Sequence, residues 1–199
     1  MGLKKSNEIT VKIKCELKEF YKIVEEKGFK VINKFSMDDT YLIPKGVDLG
    51  NTNARDILSK AIIVRDIIGR MSNRRTKLIT FKTKNFDEKG DILSQKAINC
   101  YIKEIEDAKE LLKAIGYKEI MNIKEDDIVY EKDGFQLAVK DVKNGDNLIE
   151  IETEDNDELN TIEKLIQKAN NIGIPIYTDN YFVKKAEVEL NKILRKGEV

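Results

Sequence analysis

Ionisable side chains recur at every second position in several short stretches of this sequence. Glu8, Lys12 and Lys14, with Thr10 between them, alternate with Ile9, Val11, Ile13 and Cys15 in EITVKIKC. Lys82 follows Leu78 and Thr80 on one face of TKLITFKTK, while Ile79 and Phe81 share the other. Glu150 and Glu152 alternate with Ile149 and Ile151 in NLIEIETE. A period of two puts the charged groups on one face of a strand and the apolar groups on the other. Ammonium and guanidinium groups bind anions through charge-assisted hydrogen bonds. Carboxylates hold hard cations such as magnesium. The chain has no histidine, which removes Ser-His and Cys-His nucleophiles and histidine-ligated metals. Chemistry is left to carboxylates, lysines, arginines, tyrosines or a hard metal ion. An ordinary solvent-facing sheet would show the same alternation.

The remaining sequence must position these strands. Leu17, Phe20, Ile23 and Val24 recur at helical spacing, and Gly28 ends that helix. A strand is expected over 29–41, a loop or short helix over 51–59, and strands over 60–67, 76–84 and 92–102. Ile105, Ala108, Leu111, Leu112 and Ile115 mark a second amphipathic helix closed by Gly116. A strand over 117–130, with a break as one option, precedes strands over 135–142 and 147–153. Lys132-Asp133-Gly134 and Asn144-Gly145-Asp146 between them read as hairpin turns. Leu159, Ile162, Leu165, Ile166, Ala169 and Ile172 form a third amphipathic helix, and a last helix covers 184–195. The sum is an α+β chain of about eight antiparallel strands and four helices, read as a single domain over 1–199. So many strands tend to curl. Helices packed outside a curled sheet would turn its charged face inward, as the lining of a site for a polyanion or a metal-bound polyanion.

Composition sets further bounds. Lys+Arg and Asp+Glu each number 36, so the net charge is zero. That balance argues against a general nucleic-acid binder, which is normally basic. Two cysteines, Cys15 and Cys100, are too few for a disulfide scaffold and are expected as buried thiols. No apolar run approaches the ~20 residues of a membrane span, and residues 1–8 carry no signal-peptide pattern. A cytoplasmic location follows as the expectation. Arg74, Arg75 and Lys77 read as a solvated loop cluster, and the acidic run Glu154–Glu158 as the capping region of the third helix.

In order and spacing these pieces resemble the CYTH family, the triphosphate tunnel enzymes. The resemblance covers roughly 8–194. The family's opening E-x-E-x-K strand corresponds to EITVK, with Glu8 and Lys12 in place. Its D-x-Y corresponds to Asp39 and Tyr41 in MDDTYLIP. Its L-R-x-R strand corresponds to IIVR, keeping Arg65, and its L-T-x-K strand to ITFK, keeping Lys82. Its closing E-x-E strand corresponds to EIE, with Glu150 and Glu152. The resemblance implies an eight-stranded antiparallel β-tunnel, closed or nearly closed, with helices outside. It implies that Glu8, Glu150 and Glu152 hold Mg²⁺ or Mn²⁺. It implies that Lys12, Lys14, Arg65, Lys82 and Lys140 grip the phosphates of a triphosphate-containing small molecule. A homodimer is an open option.

Several family positions have changed. Thr10 replaces the second glutamate of the opening motif, and Ile63 replaces the first arginine of L-R-x-R. Ala97 and Asn99 stand where the family usually has glutamates, and Asp126 and Asp127 where it has a basic pair. Lys140 aligns with a metal-binding aspartate; the adjacent Asp141 would face the other way unless a bulge shifts the strand. The five cations and three carboxylates expected on the lining leave a surplus of positive charge. Two functions are consistent with this pattern. One is a metal-dependent triphosphatase or class IV adenylyl cyclase-like enzyme. The other is a catalytically degenerate polyphosphate- or nucleotide-binding module, or a structural scaffold.

Overall fold

Alternation and turn chemistry decide where this chain folds into strands. The computed structural model describes residues 8–86, 92–152 and 161–196. The chain opens with β1 (Glu8–Lys12), α1 (Leu17–Glu26), β2 (Lys30–Pro44) and α2 (Ala54–Ser59). It continues with β3 (Ile62–Gly69), β4 (Arg75–Phe86), β5 (Ile92–Tyr101) and α3 (Ile105–Ala114). Then come β6 (Tyr117–Lys132), β7 (Phe135–Val142), β8 (Asn147–Glu152), α4 (Ile162–Ile172) and α5 (Lys185–Lys196). The eight strands lie in the order β1-β8-β7-β6-β2-β3-β4-β5. The β1/β8, β7/β8, β6/β7, β3/β4 and β4/β5 ladders are antiparallel. The α+β class and the eight-stranded antiparallel sheet are as the sequence predicts. No ladder joins β1 to β5 among the described residues. Contacts gather the chain into two compact units, Met1–Phe35 with Glu125–Val183, and Ser36–Lys124 with Lys184–Val199.

The first unit has a well-filled apolar core. Ile9 and Val11 of β1, Leu137 and Val139 of β7, and Ile149 and Ile151 of β8 present one face. Phe20 and Val24 of α1 and Leu165 and Ala169 of α4 cover it. α4 starts at Thr161, whose hydroxyl accepts from the Lys164 amide, and stops at Gly173 in the left-handed conformation (φ 68°). In the second unit, Leu42 of β2 and Val64 of β3 pack with Ala108 and Leu112 of α3. There α2 and α5 are joined by an ion pair of 3.3 Å between Arg55 and Glu187.

Some expectations need correction. Five helices are described, because Asn53 caps α2 through its side chain onto the Asp56 amide, which makes 54–59 helical. β6 runs unbroken through 117–132. Cys100 is exposed, because it lies on β5, which ends the strand order; Cys15 is half-buried. Leu159, Thr153 and the acidic run Glu154–Glu158 lie outside the described residues. Arg75 pairs with Asp66 and Lys77 with Glu104, which accounts for the small basic cluster as local ion pairing. No described helix is long and apolar enough to cross a membrane.

Tyr130 is the largest fully buried side chain of the first core, with Tyr21 stacked at 6.3 Å between ring centroids. Burial, then the nearby Glu25, pushes its hydroxyl up to about 12. The folded state therefore keeps this proton when the unfolded chain has lost it. The associated stability is complete below pH ~10 and falls away as pH rises towards 12, by about 2–3 kcal/mol over two pH units. Urea unfolding at pH 9, 10 and 11 checks this: wild type is expected to lose stability across the range, and Tyr130→Phe to lose much less.

Candidate functional site

Two tight turns place the charged groups of the first unit. Asp133 (φ 52°) and Gly134 (φ 75°) form a two-residue hairpin with both central residues left-handed, the geometry that twisted antiparallel strands prefer. The turn fixes the register of β6 on β7 and sets Asp127 directly opposite Lys140. The following turn carries Asn144 at φ 62° and sets Lys140 opposite Leu148 and Ala138 opposite Glu150. Glu150 is thus the diagonal neighbour of Lys140. On β1, Glu8 pairs with Glu152, Thr10 with Glu150 and Lys12 with Leu148. The polar face of this unit therefore carries the carboxylates Glu8, Glu125, Asp127, Glu131, Glu150 and Glu152 and the ammoniums Lys12 and Lys140.

Lys140 sits inside a cage of acids. Its Nζ donates to Asp127 Oδ2 at 2.9 Å, and lies 3.5 Å from Glu150 Oε1 and 3.8 Å from Glu125 Oε1. The Lys140 side chain is 8% exposed, those of Glu125 and Asp127 1% and 0%, and that of Glu150 30%. Burial alone would lower the ammonium's pKa. Glu150, Asp127 and Glu125 outweigh it and hold the pKa above the ordinary lysine value, so the group stays charged at neutral pH. The β6/β7 register is regular at this point, and Asp141 pairs with Asp126 on the opposite face, where Lys143 bridges the two. No bulge turns Asp141 towards Lys140.

The other expected residues of this unit are also engaged. Lys12 pairs with Asp146 at 2.7 Å. Glu8 accepts from the Thr10 hydroxyl at 3.3 Å. Lys14 follows the end of β1, exposed, with its ammonium 5.5 Å over the Tyr177 ring. Tyr181 donates to Asn170 Oδ1 at 2.7 Å and its carbonyl accepts from the Thr10 amide.

In the second unit, β3 and β4 pair Arg65 with Leu78 and Ile63 with Thr80, and β4 and β5 pair Thr80 with Asn99 and Lys82 with Ala97. Arg65, Thr80, Lys82 and Asn99 therefore share one strand face. Asp39 of β2 receives two bonds of 2.6 Å, from Arg65 Nε and Nη2. Asp39 is 2% exposed and Arg65 17%. A bidentate bond of this kind fixes the plane of the guanidinium. The Thr80 hydroxyl bonds Asn99 Oδ1 at 2.9 Å.

The donor set does not suit the divalent cation that the family resemblance implies. Glu150 is committed to Lys140, an ammonium occupies the centre of the three-carboxylate cage, and among the described residues no group of three or more acids, cysteines or histidines is arranged to hold a metal ion. The residues as placed do not fit a bound metal. Sequence reasoning missed Glu125, and it missed the pairing of Asp39 with Arg65 although it singled out both residues.

Fold and site together define an antiparallel α+β protein whose strand faces carry internally paired charges. A CYTH domain is matched over residues 6–179, and the chain belongs to that family. It is 26% identical over 189 residues to a candidate adenylate cyclase of Methanocaldococcus jannaschii, covering 92% of this chain and 98% of the relative. A solved structure from Pyrococcus horikoshii superposes with a TM-score of 0.68 at 21% identity, covering 94% of this chain and 99% of that one. A candidate adenylyl cyclase from Hippeastrum, described as having a dominant triphosphatase activity, superposes with a TM-score of 0.57 at 13% identity, covering 98% and 97%. These two likenesses show the fold.

Proposed function

We propose that this CYTH protein binds a triphosphate-type anion and does not hydrolyse it by metal chemistry. The observation that carries the reading is Arg65, a guanidinium fixed in plane by Asp39 on the strand face that also carries Lys82. Planar, oriented guanidinium donors match phosphate oxygens, and an ammonium nearby adds charge. Thr80 and Asn99 supply neutral polar groups on that face. Lys12, Lys14 and Lys140, expected to join them, are engaged by Asp146, Tyr177 and the acid cage. Arg65 and Lys82, which share one strand face, carry the proposed contact. Glu8, Glu150 and Glu152 are not assigned a metal. A cytoplasmic location fits the exposed thiol of Cys100, which a reducing compartment would protect.

Titration calorimetry with tripolyphosphate in EDTA tests the reading on wild type, Arg65→Lys and Lys82→Met. Arg65→Lys keeps a positive partner for Asp39 and loses the fork. Wild type is expected to bind without metal. Each variant is expected to bind about tenfold or more weakly, the loss of one hydrogen bond to a charged group at ~1.5–3 kcal/mol. Binding that neither change weakens would contradict the assignment.

A further inference from the structure

We propose that a pocket at the C-terminal ends of α1 and α4 takes a small organic phosphate monoester. The pocket has a volume of about 440 Å³, within the range of small-molecule sites. It lies in the first unit, where Lys132 and Phe135 stand opposite each other at the β6/β7 hairpin. Phe135 belongs with Leu137 and Val139 to the apolar core, so this is the opposite strand face from Lys140 and its acids. Three ammoniums line the pocket, from the half-buried Lys27 and the exposed Lys132 and Lys168, against one carboxylate, that of Asp133.

Each ammonium is positioned by an uncharged group. Lys132 Nζ donates to the backbone carbonyl of Lys27, the C-cap of α1, at 2.8 Å. Lys27 Nζ lies beside Gly173, the C-cap of α4, where a Cβ would stand 3.5 Å from it. Lys168 Nζ sits over the Phe135 ring, 5.6 Å from its centroid. A carbonyl, a helix end and a ring orient a cation without neutralising it; a helix end offsets only about half a charge. Among the described residues none of the three ammoniums is in an ion pair with an acid. The pocket therefore keeps a positive surplus. A phosphate monoester, with three terminal oxygens and nearly two charges, matches three ammoniums; a carboxylate, with two oxygens and one charge, leaves one of them over. The pocket is larger than a phosphate group, and Phe29, Phe135 and Ile172 give it an apolar side for the organic body of the ester. The site uses neither Arg65 nor Lys82, so it and the anion contact proposed above stand or fall separately.

Amide NMR spectra of the full chain, titrated with phenyl phosphate, inorganic phosphate and benzoate, test the proposal through the Gly28 and Gly173 amides. Phenyl phosphate is expected to move both signals in wild type and to saturate. Inorganic phosphate, which lacks the apolar body, and benzoate, which lacks the phosphate, are expected to bind more weakly. Lys132→Met and Lys168→Met keep the stem and remove the charge; each is expected to weaken phenyl phosphate by about tenfold, the loss of one hydrogen bond to a charged group. Lys132→Arg, which keeps the charge, is expected to retain most of the affinity. Phenyl phosphate that leaves both amides unmoved at millimolar concentration overturns the proposal. So does unchanged affinity in both methionine variants. So does inorganic phosphate or benzoate binding as tightly as phenyl phosphate.

Discussion

Lys140→Met is expected to lose about 3–5 kcal/mol of folding stability at pH 7, the usual result of removing one partner from a buried ion pair. Methionine fills the lysine stem, so lost packing contributes little and the missing term is the ammonium. What remains is Asp127, Glu125 and Glu150 around an uncharged centre. Three acids in that position relieve their repulsion by taking up protons. The deficit is therefore expected to be greatest at neutral pH and to shrink towards pH 4. Urea unfolding of wild type and variant at the two pH values measures it. A loss of the same size at both would mean that packing, rather than charge, is the cause. With native stabilities of ~5–15 kcal/mol, the pH 7 effect is large enough to leave part of the variant unfolded.

Asp39→Ala is the second change with a large expected effect, again about 3–5 kcal/mol. Asp39 is buried and receives both bonds of the Arg65 fork at 2.6 Å. Its removal leaves a guanidinium that is mostly out of solvent without its carboxylate. The backbone carbonyl of Asp39, which accepts from Asn122 Nδ2, is untouched, so the strand keeps that link. Replacing the pair together, as Asp39→Leu with Arg65→Met, is expected to recover most of the loss, because no buried charge is then stranded. Urea unfolding of both singles and the double closes the cycle. A double variant no more stable than Asp39→Ala alone would show that the aspartate acts on something other than Arg65.

Much of this fold is legible in the sequence where one cause dominates. EITVKIKC alternates because one side of β1 is core, and the structure buries Ile9 and Val11. Lys132-Asp133-Gly134 predicts a hairpin because left-handed backbone is needed there, and Asp133 and Gly134 both adopt it. Helix ends at Gly28 and Gly116 follow from the same conformational rule. The acid cage is harder to see. In β6 apolar residues occupy both parities, at Ile120, Met121, Ile123 and Ile128, so alternation alone does not tell which side Glu125 and Asp127 take. The hairpin did hold that information. Counting back from its two-residue turn sets Asp127 opposite Lys140, and Glu125 two residues further along the same face. Asp39 and Arg65 were visible as separate motif residues. Their pairing lies in the arrangement of β2 beside β3, which no local pattern encodes.

Phosphate release from tripolyphosphate and from ATP, with Mg²⁺ and with Mn²⁺, beside Glu150→Gln as the control, tests the claim that this CYTH chain holds its anion without metal-driven turnover. Release no faster than the control is expected with either metal, together with tripolyphosphate binding that survives EDTA. Turnover that depends on the metal and disappears in Glu150→Gln would contradict it and would return Glu8, Glu150 and Glu152 to the metal-holding role that the family resemblance implies.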